Sequence, residues 1–382
     1  MISSENKIRF EIDHYDRHNV RWDWAMDPNK QFIWKTNLLG GGRLFHLIYR
    51  FSLLPTLKSF IKNSNWKEMR GFEGGNRTIL KNVDRIIAIK SNGEPEVLKN
   101  VSIETMNLKD DFMYEPPFMI IDQILGENSL SACLITKQNS FTNKKRLYYN
   151  RDFIGISIPE NDEEILQSTY NLISSKKNTH LNYQLYIVAK SSSCLVLTET
   201  DINKSEILDI PYPESIKDLS LLNSEKILQE DVLNYYRHLG KAITQSSSGF
   251  VLNKKVNEQQ LKGYGVTLCD ALNSIYAKNN KSWQLGKTYQ TSLFIICQIG
   301  FGKDKGLPHL FLHELDESIA SLLKENTSKR GTIYKRIVRL YKHQEGYDCL
   351  YLIKPHAFRY WLKSIALRDA DDTFIDLKNE GL

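Results

Sequence analysis

The chain has 382 residues, 41% hydrophobic and 25% charged, a balance typical of globular proteins rather than of disordered or membrane proteins. With 51 Lys and Arg residues against 45 Asp and Glu residues, the formal charge of +6 permits an anionic partner without requiring one. No run approaches the roughly 18 apolar residues of a membrane span, and the charged start (Glu5, Lys7, Arg9) excludes a signal peptide.

The five cysteines are scattered and never spaced as C-x-x-C, which argues against a disulfide framework or a zinc ribbon. We therefore expect a reducing, cytoplasmic compartment.

Residues 1–36 are aromatic and charged without a clear period, and they include Trp22, Trp24 and Trp34. A short segment this rich in Trp must dock either on the following domain or on another subunit. We assign it, as a hypothesis, to docking on a partner subunit.

Residues 37–218 are predicted to form a first domain with a loop-rich mixed sheet. After the glycines 40–42, apolar residues recur at helical spacing from Leu44 to Ile61, and Pro55 is expected to end or bend that helix. Strands are predicted at Arg85–Ala88, Phe118–Ile121, Cys133–Thr136 and Phe153–Ile158, and helical pieces at Asp162–Ser174 and Tyr183–Ala189.

Residues 219–248 are predicted to form a connecting helix, over 219–245, and a Ser-rich linker. Residues 249–382 are predicted to form a second α+β domain. Its elements are a helix at Gln259–Tyr276, a strand at Thr291–Ile299, a helix at His313–Lys324, a strand at Tyr347–Ile353 and a terminal helix opened by Pro355. The fold class expected for the whole chain is α+β.

No motif for catalysis is evident, and we expect no catalytic centre, cofactor or metal in this chain. The segment Gly300–Lys303 lacks the further residues of a phosphate loop, and His309 and His313 lack a third ligand. The tetrapeptide Glu115–Phe118 is similar to the motif with which amino-methyltransferases hold a flipped base. Glu is one methylene too long for that geometry, so a rigid turn into a strand is favoured.

Several motifs follow one another in a recognisable order. Trp66 precedes a Gly-rich turn, the strands come next, and a Pro-x-Pro turn at 211–213 leads into the helix over 219–245. In this order the stretch Trp66–Glu214 resembles the target recognition domain of type I restriction specificity subunits and of large fused adenine methylases. The flanks Asn37–Arg43 and Phe358–Asp371 resemble the C-terminal halves of those fused enzymes.

In the fused proteins a methylase domain precedes this region, so the resemblance implies a detached specificity subunit. Its partners would be double-stranded DNA and a separately encoded adenine DNA methyltransferase, which would bind S-adenosylmethionine. A restriction subunit and a second copy of the chain remain open as further partners, because a single recognition domain would read a half-site.

The predicted DNA contacts are a short cluster close after the Gly-rich turn (Arg77, Lys81 and Arg85) and two longer basic segments. The first, Lys137 to Arg151, contains no acid and is predicted to be a loop between two strands. The second, Lys329 to Lys342, is predicted to be a helix with its cations on one face. A solvated surface is the alternative for both. The predicted DNA-binding residues are Arg77, Lys81, Lys137, Lys144, Lys145, Arg146, Tyr148, Arg151, Lys335, Arg336 and Arg339.

Two other classes of function stay open at this point. One is a nuclease or degenerate methyltransferase with an unrecognised active site, which metal-dependent cleavage or cofactor binding by the isolated chain would reveal. The other is a structural scaffold of a defence complex, which would have negligible affinity for DNA even at low salt.

Overall fold

The computed structural model of the chain combines helices with antiparallel and mixed sheets, which confirms the expected α+β class. It describes residue 15 and residues 19–90, 92–107, 110–125, 130–139, 141–174, 179–191, 202–245, 251–291, 294–303, 321, 337–344 and 346–381.

The chain divides into two compact units. We call Trp24–Leu39 with Arg43–Ile243 the central unit, and Met1–Asp23, Gly40–Gly42 and Thr244–Leu382 the terminal unit. The terminal unit is thus assembled from both ends of the sequence.

Residues 19–245 hold a first series of helices and strands. The described helices are α1 (Trp22–Ala25), α2 (Ile33–Ser52), α3 (Leu57–Asn63), α4 (Glu163–Ser174), α5 (Thr179–Lys190), α6 (Lys204–Leu208) and α7 (Asn223–Gln245). The strands are β1 (Lys67–Arg70), β2 (Glu73–Ile89), β3 (Pro95–Asn107), β4 (Phe118–Leu125), β5 (Leu130–Ile135), β6 (Leu147–Tyr149) and β7 (Phe153–Ser157). The helices predicted over 162–174, 183–189 and 219–245 correspond to α4, α5 and α7.

The strands of the central unit form two sheets. An antiparallel sheet has the order β1-β7-β4-β5, and a mixed sheet has the order β3-β2-β6, in which β2 pairs antiparallel with β3 and parallel with β6. Every residue of β7 is buried, and this strand pairs with β1 on one side and β4 on the other. The apolar run that predicted this strand is therefore explained by its central position in the sheet.

The helix predicted from Leu44 to Ile61 is in fact two helices. The first, α2, begins at Ile33, and Gly41 breaks its regular geometry with a φ of 71°. It ends at Ser52, ahead of Pro55, as the missing proline N–H leads us to expect. The second, α3, begins after Thr56, whose hydroxyl accepts a hydrogen bond from the Ser59 N–H at 3.2 Å.

In the terminal unit, two long helices among the described residues pack against one antiparallel sheet. Its elements are α8 (Glu258–Tyr276), β8 (Lys281–Gln290), β9 (Phe294–Lys303), β10 (Val338–Gln344), β11 (Tyr347–Pro355) and α9 (Lys363–Asn379), and the strand order is β10-β11-β9-β8. Pro355 was predicted to open the last helix, and this was wrong. It is the last residue of β11, opposite Phe294, and the helix begins eight residues later at Lys363.

A charged pair lies at the centre of the terminal unit. Lys354 of β11 and Asp369 of α9 are both 0% exposed and form an ion pair. The Lys354 ammonium also donates to the Tyr264 hydroxyl at 2.8 Å and to the Tyr360 carbonyl at 3.1 Å. Burial lowers the pKa of Lys354, and the Asp369 carboxylate opposes that shift.

The buried pair is completed by Tyr15, from the other end of the chain. The Tyr15 hydroxyl donates to the two carboxylate oxygens of Asp369 at 2.8 and 3.0 Å. The Lys354 ammonium lies 5.2 Å from the centre of the Tyr15 ring and 5.0 Å from that of Trp361. The conspicuous tail motif at 358–371 is therefore largely the core of this unit.

Candidate nucleic-acid interface

The basic segment Lys137 to Arg151 lies in the central unit between β5 and β7. It was predicted to be a loop throughout, which is wrong for its second half, because Leu147–Tyr149 forms β6 beside β2. The remaining part, described over 136–139 and 141–146, is the basic loop. Asn139 shapes its start, where its carboxamide oxygen accepts hydrogen bonds from the Thr136 N–H at 2.7 Å and hydroxyl at 2.6 Å.

Asp84 of β2 fixes the basic loop against the β2–β3 hairpin. Its side chain is 5% exposed and accepts hydrogen bonds from the Thr142 hydroxyl and from the Asn100 N–H, the latter at 2.9 Å. Its carboxylate also pairs with the Lys144 ammonium at 3.2 Å. Burial would raise the pKa of Asp84, but these bonds outweigh burial and lower it.

The Lys144 side chain is bound by acceptors of the protein itself. Besides Asp84, its ammonium donates to the Asn82 carbonyl and to the Asn100 carboxamide oxygen, the latter at 2.7 Å. Asn82 and Asn100 both adopt a positive φ, at 56° and 57°, where β2 and β3 depart from regular pairing. Asn tolerates this backbone conformation better than most residues. The Lys144 side chain therefore links the loop to both strands of the hairpin.

Arg146 is held in a similar way at the other end of the basic loop. Its guanidinium donates to Glu115 at 3.0 Å and to Asp111 at 2.7 Å. Burial would raise the pKa of Glu115, but hydrogen bonds from Lys145 and Arg146 lower it. The Glu115 tetrapeptide leads directly into β4, and its carboxylate anchors the loop, which agrees with the turn expected there.

Lys145 and Arg151 differ from these two cations in exposure. The Lys145 side chain is 76% exposed and pairs with Glu115 at 3.2 Å, and that of Arg151 is 64% exposed and pairs with Glu73 at 3.0 Å. The side chains of Lys144 and Arg146 are only 33% and 32% exposed. An exposed ion pair of this kind contributes about 0–1 kcal/mol to the stability of a protein. A phosphate can therefore replace the carboxylate at little cost in free energy.

The prediction that Tyr148 contacts DNA is wrong, because this residue is buried in the core. It is 5% exposed, and its ring centre lies 4.8 Å from that of Tyr114. The residue belongs to β6, opposite Arg85 of β2, and an apolar cluster surrounds it. Its place in a basic, Asn-rich segment made it resemble a surface aromatic residue.

The other predicted residues of the central unit are Arg77, Lys81 and Lys137. Lys81 is exposed on this strand, and Lys137 is exposed at the start of the basic loop. Arg77 also belongs to β2, but its side chain lies outside the described residues. The Gly-rich segment around residues 71–76 was expected to be a turn, whereas β2 runs through it from Glu73.

Residues 337–342, the described part of the second basic segment, do not form the predicted helical face. Val338–Gln344 is strand β10, paired with β11, and Arg339 points at α9, where it binds Asp372 at 2.9 Å and Asp376 at 3.1 Å. The Arg339 side chain is only 18% exposed, so its charge is used inside the unit. Lys335, Arg336, His309 and His313 lie outside the described residues.

Asp84, Thr142 and Asn100 are the positioning residues that the sequence analysis missed. They are 16 to 58 positions apart, so no local pattern connects them. Among the described residues, no group of three or more His, Cys, Asp or Glu side chains is placed to hold a metal ion. No helix of the described residues is long and apolar enough to cross a membrane.

Comparison with protein-family models, with curated proteins and with solved structures found no match to this chain.

Proposed function

We propose that this chain is a non-catalytic DNA sequence-recognition subunit, which positions a separately encoded adenine DNA methyltransferase in a restriction-modification or phage-defence system. The observation that carries the proposal is the segment from Lys137 to Arg151. Asp84 and Glu115 hold its basic loop in place, while Lys145 of the loop and Arg151, which follows β6, stay exposed. The resemblance of Trp66–Glu214 to target recognition domains supports the same function.

The four cations have two different roles in this proposal. Lys144 and Arg146 fix the shape of the loop through partly buried pairs, which a nucleic acid would not replace. Lys145 and Arg151 exchange their exposed carboxylates for phosphates when DNA arrives. A loop that is ordered before binding has less conformational entropy to lose in the complex.

The chemistry belongs to the partner in this proposal. The methyltransferase subunit would bind S-adenosylmethionine, flip the adenine and transfer the methyl group. A restriction subunit could join the same assembly, and two copies of this chain would read two half-sites. The four described free cysteines are buried and fit a reducing cytoplasm, where we place the complex.

The first test is the binding of the purified chain to duplex DNA, measured by fluorescence anisotropy at several salt concentrations. Each phosphate contact adds about 0.9 to the slope of log affinity against log salt. We therefore expect the variant Lys145→Gln/Arg151→Gln to lose about 1.8 from that slope. The matched control is Lys58→Gln/Lys62→Gln, which removes two exposed charges of α3 from the same unit.

Equal salt slopes for this variant and for its control would mean that Lys145 and Arg151 do not contact phosphates. A wild-type chain without measurable affinity at low salt would contradict a DNA-binding function. Selection from a random duplex library then tests sequence preference, and enrichment of a single motif is expected.

The second test concerns methylation. The pure chain should transfer no methyl groups, whereas addition of the separate adenine methyltransferase that the proposal requires should give methylation at one sequence. Methylation by the pure chain alone would contradict the proposal.

A further inference from the structure

Three exposed lysines lie side by side at one end of the sheet in the terminal unit. Lys278 and Lys281 face each other across a two-residue turn, and Lys281 is also the strand partner of Lys303. All three side chains are exposed. We call Lys278, Lys281 and Lys303 the lysine row.

The local sequence holds the row in place. Lys278 and Lys281 exchange two backbone hydrogen bonds, of 2.9 and 3.1 Å, around Asn279 and Asn280. Both asparagines have a positive φ, 53° and 60°, as a type I′ turn requires. Beyond Lys281, the next rung of the hairpin on the same face is Trp283 and Phe301, whose ring centres are 5.5 Å apart.

The Lys303 end of the row is fixed as well. The Tyr347 hydroxyl donates to the Lys303 carbonyl at 2.9 Å. A Cβ on Gly302 would lie 2.4 Å from the Tyr347 ring, so only glycine lets that ring lie against the strand. The backbone positions of all three lysines are thus determined before any ligand binds.

No carboxylate compensates the row within the part of the chain that the structure describes. None of the three side chains has an ion-pair partner there, and the Asp348 carboxylate, at the same end of the sheet, is hydrogen-bonded to Nδ1 of His343 at 2.8 Å. The next two residues along the chain, Asp304 and Lys305, carry opposite charges and lie outside the described residues. Like charges directly opposite each other destabilise a strand pair.

We propose that the lysine row is a second phosphate-contacting surface, which binds the backbone of duplex DNA. The proposal rests on the proposed function, since it takes duplex DNA as the ligand. Neighbouring strands are about 4.8 Å apart, so the row spans about 10 Å and presents three charges to a polyanion. A lysine ammonium group is flexible, and it donates hydrogen bonds but accepts none. Such groups suit contact with phosphates rather than the reading of base sequence.

The test compares two triple variants of the full chain in the salt-dependent anisotropy assay. The row variant is Lys278→Gln/Lys281→Gln/Lys303→Gln. The control is Lys254→Gln/Lys255→Gln/Lys378→Gln, which removes three exposed charges elsewhere in the same unit. The row variant should lose about 2 to 3 from the salt slope, at about 0.9 per phosphate, and the control should lose less than about 1.

A second measurement needs no variant. Lysine acetylation of the wild-type chain, read by mass spectrometry with and without duplex DNA, should show protection of the three row lysines and none of Lys254 or Lys378. Unprotected row lysines in a DNA-bound chain would overturn the proposal.

The outcomes separate the two proposals. If the wild-type chain binds duplex and the row variant behaves as the control does, the row proposal fails and the proposed function stands. If the wild-type chain does not bind duplex, the proposed function fails and the row proposal fails with it. If the row variant lost as much affinity for poly-L-glutamate as for duplex DNA, the row would be assigned to an acidic protein partner, and the row proposal would also be overturned.

Discussion

The replacement Asp369→Asn tests how the buried charged pair stabilises the terminal unit. It leaves the Lys354 ammonium at a site that is 0% exposed, with the Tyr264 hydroxyl at 2.8 Å and the Tyr360 carbonyl at 3.1 Å as its described neutral oxygen acceptors. Breaking a buried pair by removing one partner destabilises a protein by about 3–5 kcal/mol. We expect a loss of that size, a large part of the roughly 5–15 kcal/mol that stabilises a typical protein.

Neutralising the second partner should restore part of the stability. In the double variant Lys354→Met/Asp369→Asn no charge is buried, and it should be more stable than Asp369→Asn by at least about 1.5 kcal/mol. The matched control is Asp348→Asn, which breaks a pair with His343 whose two side chains are 69% and 73% exposed. The control should change the free energy of unfolding by less than about 1 kcal/mol.

The assay is native-state hydrogen exchange of peptides from β11 and α9, which reports on this unit separately from the central unit. A pH series adds a signed test. Without the Asp369 carboxylate, burial lowers the pKa of Lys354 further, whereas the unfolded chain has a Lys pKa of about 10.4. Between these two values the unfolded chain binds more protons, so the stability of Asp369→Asn should rise with pH.

Two results would refute this account. One is a loss below about 1 kcal/mol for Asp369→Asn, which would mean that the ammonium is solvated in solution. The other is a double variant whose loss of stability equals the sum of the losses of Asp369→Asn and of the single variant Lys354→Met, which would mean that the two charges do not interact.

Three further changes have expected outcomes. Asp84→Asn should cost about 1–3 kcal/mol at pH 7. The pKa of Asp84 is lowered in the folded state. The stability that its carboxylate contributes is therefore present above the pKa of an unfolded Asp, about 3.9, and is lost as the pH falls through the folded pKa. Urea unfolding should accordingly show the free energies of unfolding of variant and wild type converging in acid. Lys281→Gln should raise the free energy of unfolding by about 0.2–1 kcal/mol while weakening DNA binding, and a loss of stability would contradict the repulsion argued for the row. Tyr15→Phe keeps the ring but removes the hydroxyl that donates to Asp369, so exchange in α9 should report a loss of about 1–2 kcal/mol, and an unchanged rate would mean that this contact is not formed in solution.

Elements with a continuous apolar run or a clear helical period were predictable from the sequence. Strand β7 and helix α8 are of this kind, because burial of the strand and of one helix face leaves a pattern in the residues themselves. Strands β2, β3 and β8 carry mixed side chains, and cross-strand pairing specifies them instead. In β10 the spacing of Val338 and Tyr341 imitated a helix, although β11 pairs with every residue of that strand.

The candidate site was predictable in its location but not in its chemistry. Composition alone marked the segment from Lys137 to Arg151 as basic. Which of its cations are used internally depends on Asp84, 58 positions from Thr142, and on Glu115, 31 positions from Arg146. The lysine row had a local signal that was overlooked, because Asn279 and Asn280 between two lysines favour a tight turn.

The contact between Tyr15 and Asp369 has a consequence for the order in which the protein matures on the ribosome. The two residues are 354 positions apart, and the whole central unit is synthesised between them. The segment around Tyr15 is therefore synthesised long before α9, which carries Asp369. It can form this contact only after the central unit has been synthesised. A chain truncated before α9 would leave the buried Lys354 without its carboxylate, so the terminal unit of an unfinished copy should be unstable.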